Sequence, residues 1–420
     1  MNSFSPLRRF FALLTVFMLL GGYAMAETQD WTKEAWYAQA LKASEMAPGN
    51  NFRLNRLIAR AKAGKNITLA LVGGSVTEGA GAPSYETCWA SLFASAFAQA
   101  WGLGDGSNVT AVNAGVGGTP SLFGYMRYQR DVLDRVGESD PDGLPDLVVL
   151  EYAINDWGDP SGHRGYESLV RDILQQPNHP VVILLFSVAK TGWNLQDELR
   201  RIGDACDLMM VSVKDGIVPR IGSEVKAEDF FTDDYHPTGR GHRFMADCLM
   251  QALSDALAAP ADEAEPSPDA APAYGTDFLG LQTFYGSHTE EDFLAAGLSL
   301  SRGGFTDLDI NTYRNRPVGW VCGKNFFHDS LCSMEPLTVT GVFSKCLIAW
   351  KAAQDASFGS AEVLVDGQVV QTLKCGQSGQ WGQSEVLLAL DQPEAAEHTL
   401  EIRVTEKGKK FTVTALAFVK

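Results

Sequence analysis

The run Ile67-Thr68-Leu69-Ala70-Leu71-Val72-Gly73-Gly74-Ser75-Val76-Thr77-Glu78-Gly79 decides how the first half of this chain folds. Six largely apolar residues make a stretch of strand length, and the glycines behind them stop it in a turn that carries a serine. Further apolar strands are expected at 109–113, 147–151, 181–186 and 208–211, with helical segments at 88–101, 166–174 and 194–206 between them. Near-continuous Val, Ile and Leu is what a parallel sheet needs when helices cover both of its faces. A last helix is expected over 239–258, with Thr238 as its cap. Residues 31–44 and 52–63 read as two leading helices broken at Pro48-Gly49-Asn50-Asn51. The ligand crevice of an open parallel sheet lies beyond the carboxyl ends of its strands. Ser75, Gly118 and Asn155 each follow a strand directly, so the fold should bring them to one edge.

Asp233-Asp234-Tyr235-His236-Pro237 supplies what the serine lacks. A hydroxyl becomes a nucleophile when a base takes its proton, and the base works best when a carboxylate holds its ring. A spacing of three lets Asp233 fold back onto the Nδ1 of His236, which favours it over Asp234. His242 falls inside the last helix and reads as a structural histidine. Asp156 reads as a tether between loops, Glu151 and Glu78 lie near the presumed site without an assigned step, and His163 sits in the loop after Asn155-Asp156-Trp157.

Four segments, Gly73 to Gly79, Val112-Asn113-Ala114-Gly115-Val116-Gly117-Gly118-Thr119, Leu147 to Asp156, and Asp233 to Pro237, together resemble the blocks of the SGNH (GDSL-like) hydrolase superfamily over residues 66–258. The resemblance implies a flavodoxin-like, three-layer α/β hydrolase domain spanning 27–258, with a helical lead-in at 27–65. It implies Ser75 as nucleophile, His236 as base and Asp233 as its orienting acid. It also implies an oxyanion hole made of the backbone N–H groups of Ser75 and Gly118 and the side-chain amide of Asn155. Two positions depart from the family pattern: Gly74 stands where Asp is usual, and Ala153 where Gly is usual. The turn is not the Gly-x-Ser-x-Gly elbow of α/β-hydrolases, because Thr77 replaces the second glycine. No Gly-Lys-Ser/Thr follows to make a phosphate loop.

Residues 1–26 read as an export signal: Arg8 and Arg9, the apolar stretch 10–20, and Ala24-Met25-Ala26 as the cleavage site. The expected location is therefore secreted, periplasmic or at the cell surface, with no lasting membrane insertion. The 420 residues carry a formal charge of −17, which becomes −19 once Arg8 and Arg9 are lost. So acidic a protein is a poor partner for nucleic acid or anionic lipid. Of seven cysteines, Cys322, Cys332, Cys346 and Cys375 cluster and could form two bridges, whereas Cys88, Cys206 and Cys248 read as buried thiols. No Cys-x-x-Cys or His-x-x-x-His spacing points to a metal, and no cofactor is expected.

Residues 259–273, with Pro260, Pro266, Pro268 and Pro272, read as an exposed, stiff linker. Beyond it, strands are expected at 337–343, 346–350, 361–365, 369–373, 384–390, 398–404 and 411–419, with a hairpin at Asp366-Gly367. Residues 274–420 thus form an antiparallel β-sandwich, which resembles the jelly-roll accessory domains of carbohydrate esterases. Of its aromatics, Trp320, Phe326, Phe327, Trp350 and Trp381 are candidates for stacking on sugars, although sandwich cores absorb most such rings. The expected activity is a secreted serine ester hydrolase removing O-acetyl groups from a glycan. The alternatives are transfer of the acyl group to a sugar hydroxyl, a lipase or lysophospholipase activity, and a non-catalytic glycan-binding protein.

Overall fold

The structure, a computed structural model, describes residues 30–139, 143–267, 269–311 and 323–420. The expected signal at 1–26, Pro268, Trp320 and Cys322 lie outside them. The first half is built on a six-stranded sheet. Its strands are β1 (Glu45–Ala47), β2 (Ile67–Gly73), β3 (Val109–Gly115), β4 (Leu147–Glu151), β5 (Val181–Phe186) and β6 (Met209–Ser212), in the order β1-β6-β5-β4-β2-β3. All neighbours are parallel except β1, a short antiparallel edge strand that sequence periodicity could not register in three residues. Without β1 the order is that of flavodoxin-like doubly wound sheets, whose winding direction reverses between β2 and β4.

Alternation along each strand divides the core into two faces. Leu69, Leu71, Val149, Ile183 and Val211 point to one side, where they pack against helices Ala35–Ala43, Phe52–Lys62, Trp89–Trp101 and Gly239–Ala258. Ala70, Val72, Val148, Leu150 and Leu184 point to the other, onto helices Ser121–Tyr128, Arg164–Leu174 and Gln196–Ala205.

The second half is all antiparallel: β7 (Gln282–Phe284), β8 (Leu298–Ser301), β9 (Phe326–His328), β10 (Leu337–Ala352), β11 (Ala361–Val365), β12 (Gln368–Leu373), β13 (Gln383–Val404) and β14 (Phe411–Val419). Two expected breaks are absent. The pairs 337–343/346–350 and 384–390/398–404 are each one long strand, β10 and β13, because their pairing resumes beyond register shifts at Phe343/Lys345 and Cys346/Leu347, the first of which leaves residues 392–395 of β13 out of the ladder. The two halves of each long strand contribute to one core: Val339, Val363 and Ile402 from one end pack in the same cluster as Ile348, Trp350, Phe411 and Phe418 from the other. That shared cluster is the interior of the sandwich.

Cys346 and Cys375 are buried free thiols in this region, and Cys332 is free as well. The two expected bridges therefore do not form among the described cysteines. Cys346 is spent as a small apolar filler of the sandwich interior. Cys88, Cys206 and Cys248 are also free and buried.

The linker is no free tether. Asp262 accepts from the Asn51 N–H (2.8 Å), Glu265 pairs with Arg53 (2.8 Å) and His179 (2.9 Å), and Pro266 is buried. The Glu167 carboxylate then takes the N–H groups of Ala273, Tyr274 and Gly275 at 2.6–3.1 Å. The sandwich docks on the helices beyond. Leu347, Ala349, Ala415, Ala417 and Val419, which alternate with its interior residues, join the second face cluster of the α/β half together with Phe278 and Tyr285. Alanines on that face let the sheet approach the helices closely. Arg164 and Lys345 both bind Asp277 and Asp391 across this junction.

A core shared in this way should melt as a unit. Leu347→Ala removes a side chain buried between sheet and helices and should cost about 2–5 kcal/mol. Calorimetry of the full chain should show one transition that moves down without splitting; two transitions, only one of them displaced, would mean independent halves.

Candidate active site

Register sets the site. Gly73, the last residue of β2, pairs with Gly115 of β3 on one side and Glu151 of β4 on the other. Three chain turns therefore leave the sheet at the same level. From β2 the chain enters a single helical turn, Ser75–Glu78, so Ser75 opens a helix at the sheet edge. From β3 it enters the Val116-Gly117-Gly118-Thr119 loop, and from β4 it reaches Asn155, whose N–H is held by the Tyr152 carbonyl at 2.9 Å.

His236 comes from a fourth loop, closed by a bridge between Phe231 and Pro237 and by the Thr232 N–H on the His236 carbonyl (2.9 Å). Thr238 caps the helix behind it. The loop places His236 Nε2 2.8 Å from Ser75 Oγ, and His236 Nδ1 2.7 Å from Asp233 Oδ2. An ionised carboxylate only accepts, so Nδ1 carries the ring proton and Nε2 is left to accept from the serine. The other oxygen, Oδ1, accepts the Tyr235 and His236 N–H groups, both at 2.8 Å. Partial burial opposes the Asp233 charge, but the His236 ring and these N–H groups outweigh it and hold the carboxyl below its ordinary value. Asp234 lines the cleft instead, its carbonyl taking the Lys190 N–H.

Gly118 and Asn155 line the same cleft as Ser75 and His236. Gly118 has φ +70°, a conformation in which a side chain is strained, and Trp381 of the sandwich lies over it, 2.8 Å from where a Cβ would stand. Gly74 has a different reason to lack a side chain. A Cβ there would fall 2.3 Å from Asn155 Oδ1, so the amide fills the space that any side chain at this position would need.

Around these groups lies a frame of buried polar contacts. Arg127, fully buried, donates to the carbonyls of Ala114 (2.6 Å) and Gly73 (3.1 Å), tying the ends of β3 and β2 together. Asp156 accepts the Ser121 N–H at 2.7 Å and so joins the β4 turn to the helix that follows Gly118. Burial, with Asp159 nearby, pushes its carboxyl up to about 8. Glu78 accepts the Gly117 N–H at 3.1 Å. His242 takes the Trp89 N–H on Nδ1 and bonds the Ala80 carbonyl through Nε2; burial pushes its pKa down to about 4, so it is a neutral structural ring. His163 packs edge-on against Tyr274 and does not line the cleft.

The cleft has a volume of about 1000 Å³. Its aromatic lining was mostly missed in the sequence: Trp157, Trp193 and Tyr235 are 78%, 41% and 54% exposed, and Trp381 is 39% exposed. For Trp157 and Tyr235 a signal was present, since each lies within two residues of a site residue, where no core exists to absorb a ring. Trp320 lies outside the described residues, and Phe326, Phe327 and Trp350 are buried in the sandwich, as core packing predicts.

Residues 71–244 match the sequence model of the GDSL-like Lipase/Acylhydrolase family. The matched segment contains Ser75, Gly118, Asn155, Asp233 and His236, and the α/β domain is that of a carboxylic ester hydrolase. Two solved structures share the two-domain arrangement. One is a two-domain esterase active on acetylated mannans, co-crystallised with mannopentaose; it is 23% identical, with a TM-score of 0.74, covering 90% of this chain and 98% of that one. The other, also a two-domain esterase active on acetylated mannans, is 23% identical with a TM-score of 0.75, covering 90% of this chain and 99% of that one. Among curated proteins no match is found.

Two variants test this geometry. Gly74→Ala should push the Asn155 amide aside and lower kcat/KM on p-nitrophenyl acetate by about 10²–10³-fold, as loss of an oxyanion donor does, with folding kept by circular dichroism. For Asp156 the sign follows from a raised acid: its stabilising contribution is full below its ordinary value of 3.8 and is lost as pH rises towards about 8. Asp156→Asn, with no proton to lose, should gain in melting temperature over the parent between about pH 5 and about pH 9. A gap independent of pH would show that Asp156 does not titrate there.

Proposed function

With a GDSL-like acylhydrolase domain at residues 71–244, we propose that this protein is a secreted serine esterase that removes O-acetyl groups from a polysaccharide. The observation that carries the reading is the unbroken chain Ser75 Oγ, His236 Nε2, His236 Nδ1, Asp233 Oδ2, with both contacts under 3 Å. Ser75 Oγ attacks the acetyl carbonyl while His236 Nε2 takes its proton, and Asp233 stabilises the resulting imidazolium. The tetrahedral oxyanion is received by the N–H groups of Ser75 and Gly118 and by the Asn155 amide. As the intermediate collapses, His236 returns the proton to the departing sugar oxygen. Water, deprotonated by the same ring, then attacks the acetyl-enzyme, releasing acetate and restoring Ser75.

The glycan half of the reading rests on the rim. Four aromatic rings with open faces flank the nucleophile, and one of them, Trp381, is contributed by the sandwich. Flat apolar rings with a polar edge suit the C–H faces and hydroxyls of sugars better than a flexible acyl chain. The activity of the two structurally similar esterases on acetylated mannans agrees with this choice of substrate. Export rests on the leader at 1–26.

Acetate release from acetylated mannan and acetylated xylan by the purified protein tests the proposal. Ser75→Ala should lower it by roughly 10⁴-fold or more. Trp157→Ala should raise KM on the polymer while leaving turnover of p-nitrophenyl acetate within about twofold, because the ring touches only the alcohol part of the substrate. Equal losses on both substrates would exclude Trp157 as a sugar platform, and Ser75→Ala with parental turnover would end the assignment.

A further inference from the structure

Behind Ser75, on the side away from the cleft, lies a carboxylate that the reaction does not use. Glu151 ends β4, is completely buried, and stands at the same level as Gly73. Its Oε2 accepts the Thr77 hydroxyl at 2.8 Å, and its Oε1 accepts the hydroxyl of Ser187, the first residue beyond β5. The backbone N–H groups of Thr77 and Gly74 also favour its charged form. Three of the four groups that favour the charged carboxylate thus belong to the turn that carries the nucleophile.

We propose that Glu151 is the positioning residue of the nucleophile turn: from the end of β4 its carboxylate gathers the inward-facing donors on either side of Ser75 and fixes the distance and direction at which Ser75 Oγ meets His236. The proposal rests on the reading of Ser75 as nucleophile. The first turn of a helix has N–H groups without partners inside the helix, which a side chain of the capping residue usually takes. Here the capping residue is Gly74, which has no side chain because the Asn155 amide occupies its place. The donors must be met from elsewhere, and an adjacent strand end is a stiffer mount than a loop. In its ionised form the acid suits this position better than an amide, since both oxygens then only accept, whereas an amide would turn an N–H towards one set of donors. Full burial opposes its charge, pushing the carboxyl up to about 7 against the pull of Ser187 and Thr77. An apolar residue would carry no such penalty, so the hydrogen bonds are the reason for an acid at this place.

The test uses the full-length protein, with active sites counted by a fluorophosphonate that labels Ser75. Glu151→Gln should lower kcat on p-nitrophenyl acetate by about 10²-fold per labelled site, with KM within about twofold, and slow the labelling itself in proportion. Thr77→Val should lose about tenfold, and Thr77→Ser, which keeps the hydroxyl, should recover most of it. A role confined to stability would lower the melting temperature of these variants but leave turnover per labelled site unchanged, and that result overturns the proposal. Should Glu151→Gln fail to fold, the Thr77 pair decides alone: equal turnover of Val and Ser variants overturns it. Labelling that persists in Ser75→Ala would mark failure of the underlying reading instead.

Discussion

Gly73 has Gly115 beside it on one strand and Glu151 beside it on the other. Because these three strand ends are level, the turns that follow them open onto one rim, and side chains from far-apart positions become neighbours. Side chains along a strand alternate between faces, so a slip of β4 by one residue would send its whole apolar set to the wrong side and move Asn155 with it. The hydrophobic faces of the sheet therefore specify the site as strictly as they specify the core. Arg127 reinforces the same register, its guanidinium bridging the carbonyls that end β2 and β3 from within the helix packed beneath them. That guanidinium would be costly alone in the interior; Asp131 at 3.1 Å and the Tyr152 hydroxyl at 3.2 Å offset part of that cost.

Much of the α/β half was legible because its strands announce themselves. Runs such as Val181–Phe186 have no polar interruption, and the glycines after β2 and β3 mark where the chain must turn. The Asp233 and His236 pair could be read from spacing alone, as both belong to one short loop. The sandwich was legible as strands but not as lengths. Ser344 and Lys345 look like a turn, yet bulging lets the ladder run past them, and Lys345 reaches across to Asp277 and Asp391 instead of ending the strand.

The union of the two halves was not legible, for a physical reason. Ala349, Ala415 and Ala417 read as weak strand residues, whereas their small size is what allows a sheet to lie close on helices. That requirement belongs to a surface hundreds of residues away in the chain and leaves no local pattern. The same holds for Trp381: nothing near it in sequence says that it covers Gly118. Gly74 shows the converse case, a departure from the family pattern that becomes intelligible once Asn155 is seen in the space beside it.

Trp381 has a further meaning. Since the ring rests on Gly118, which lines the cleft, the C-terminal half is architecture shared by that cleft, not an attachment that can be exchanged freely. A chimera that grafted an unrelated fold after residue 258 would inherit Ser75, His236 and Asp233 intact but leave the loop at Gly118 unroofed and its helix bare. Only a crossover that carries both contact surfaces together would leave that roof in place.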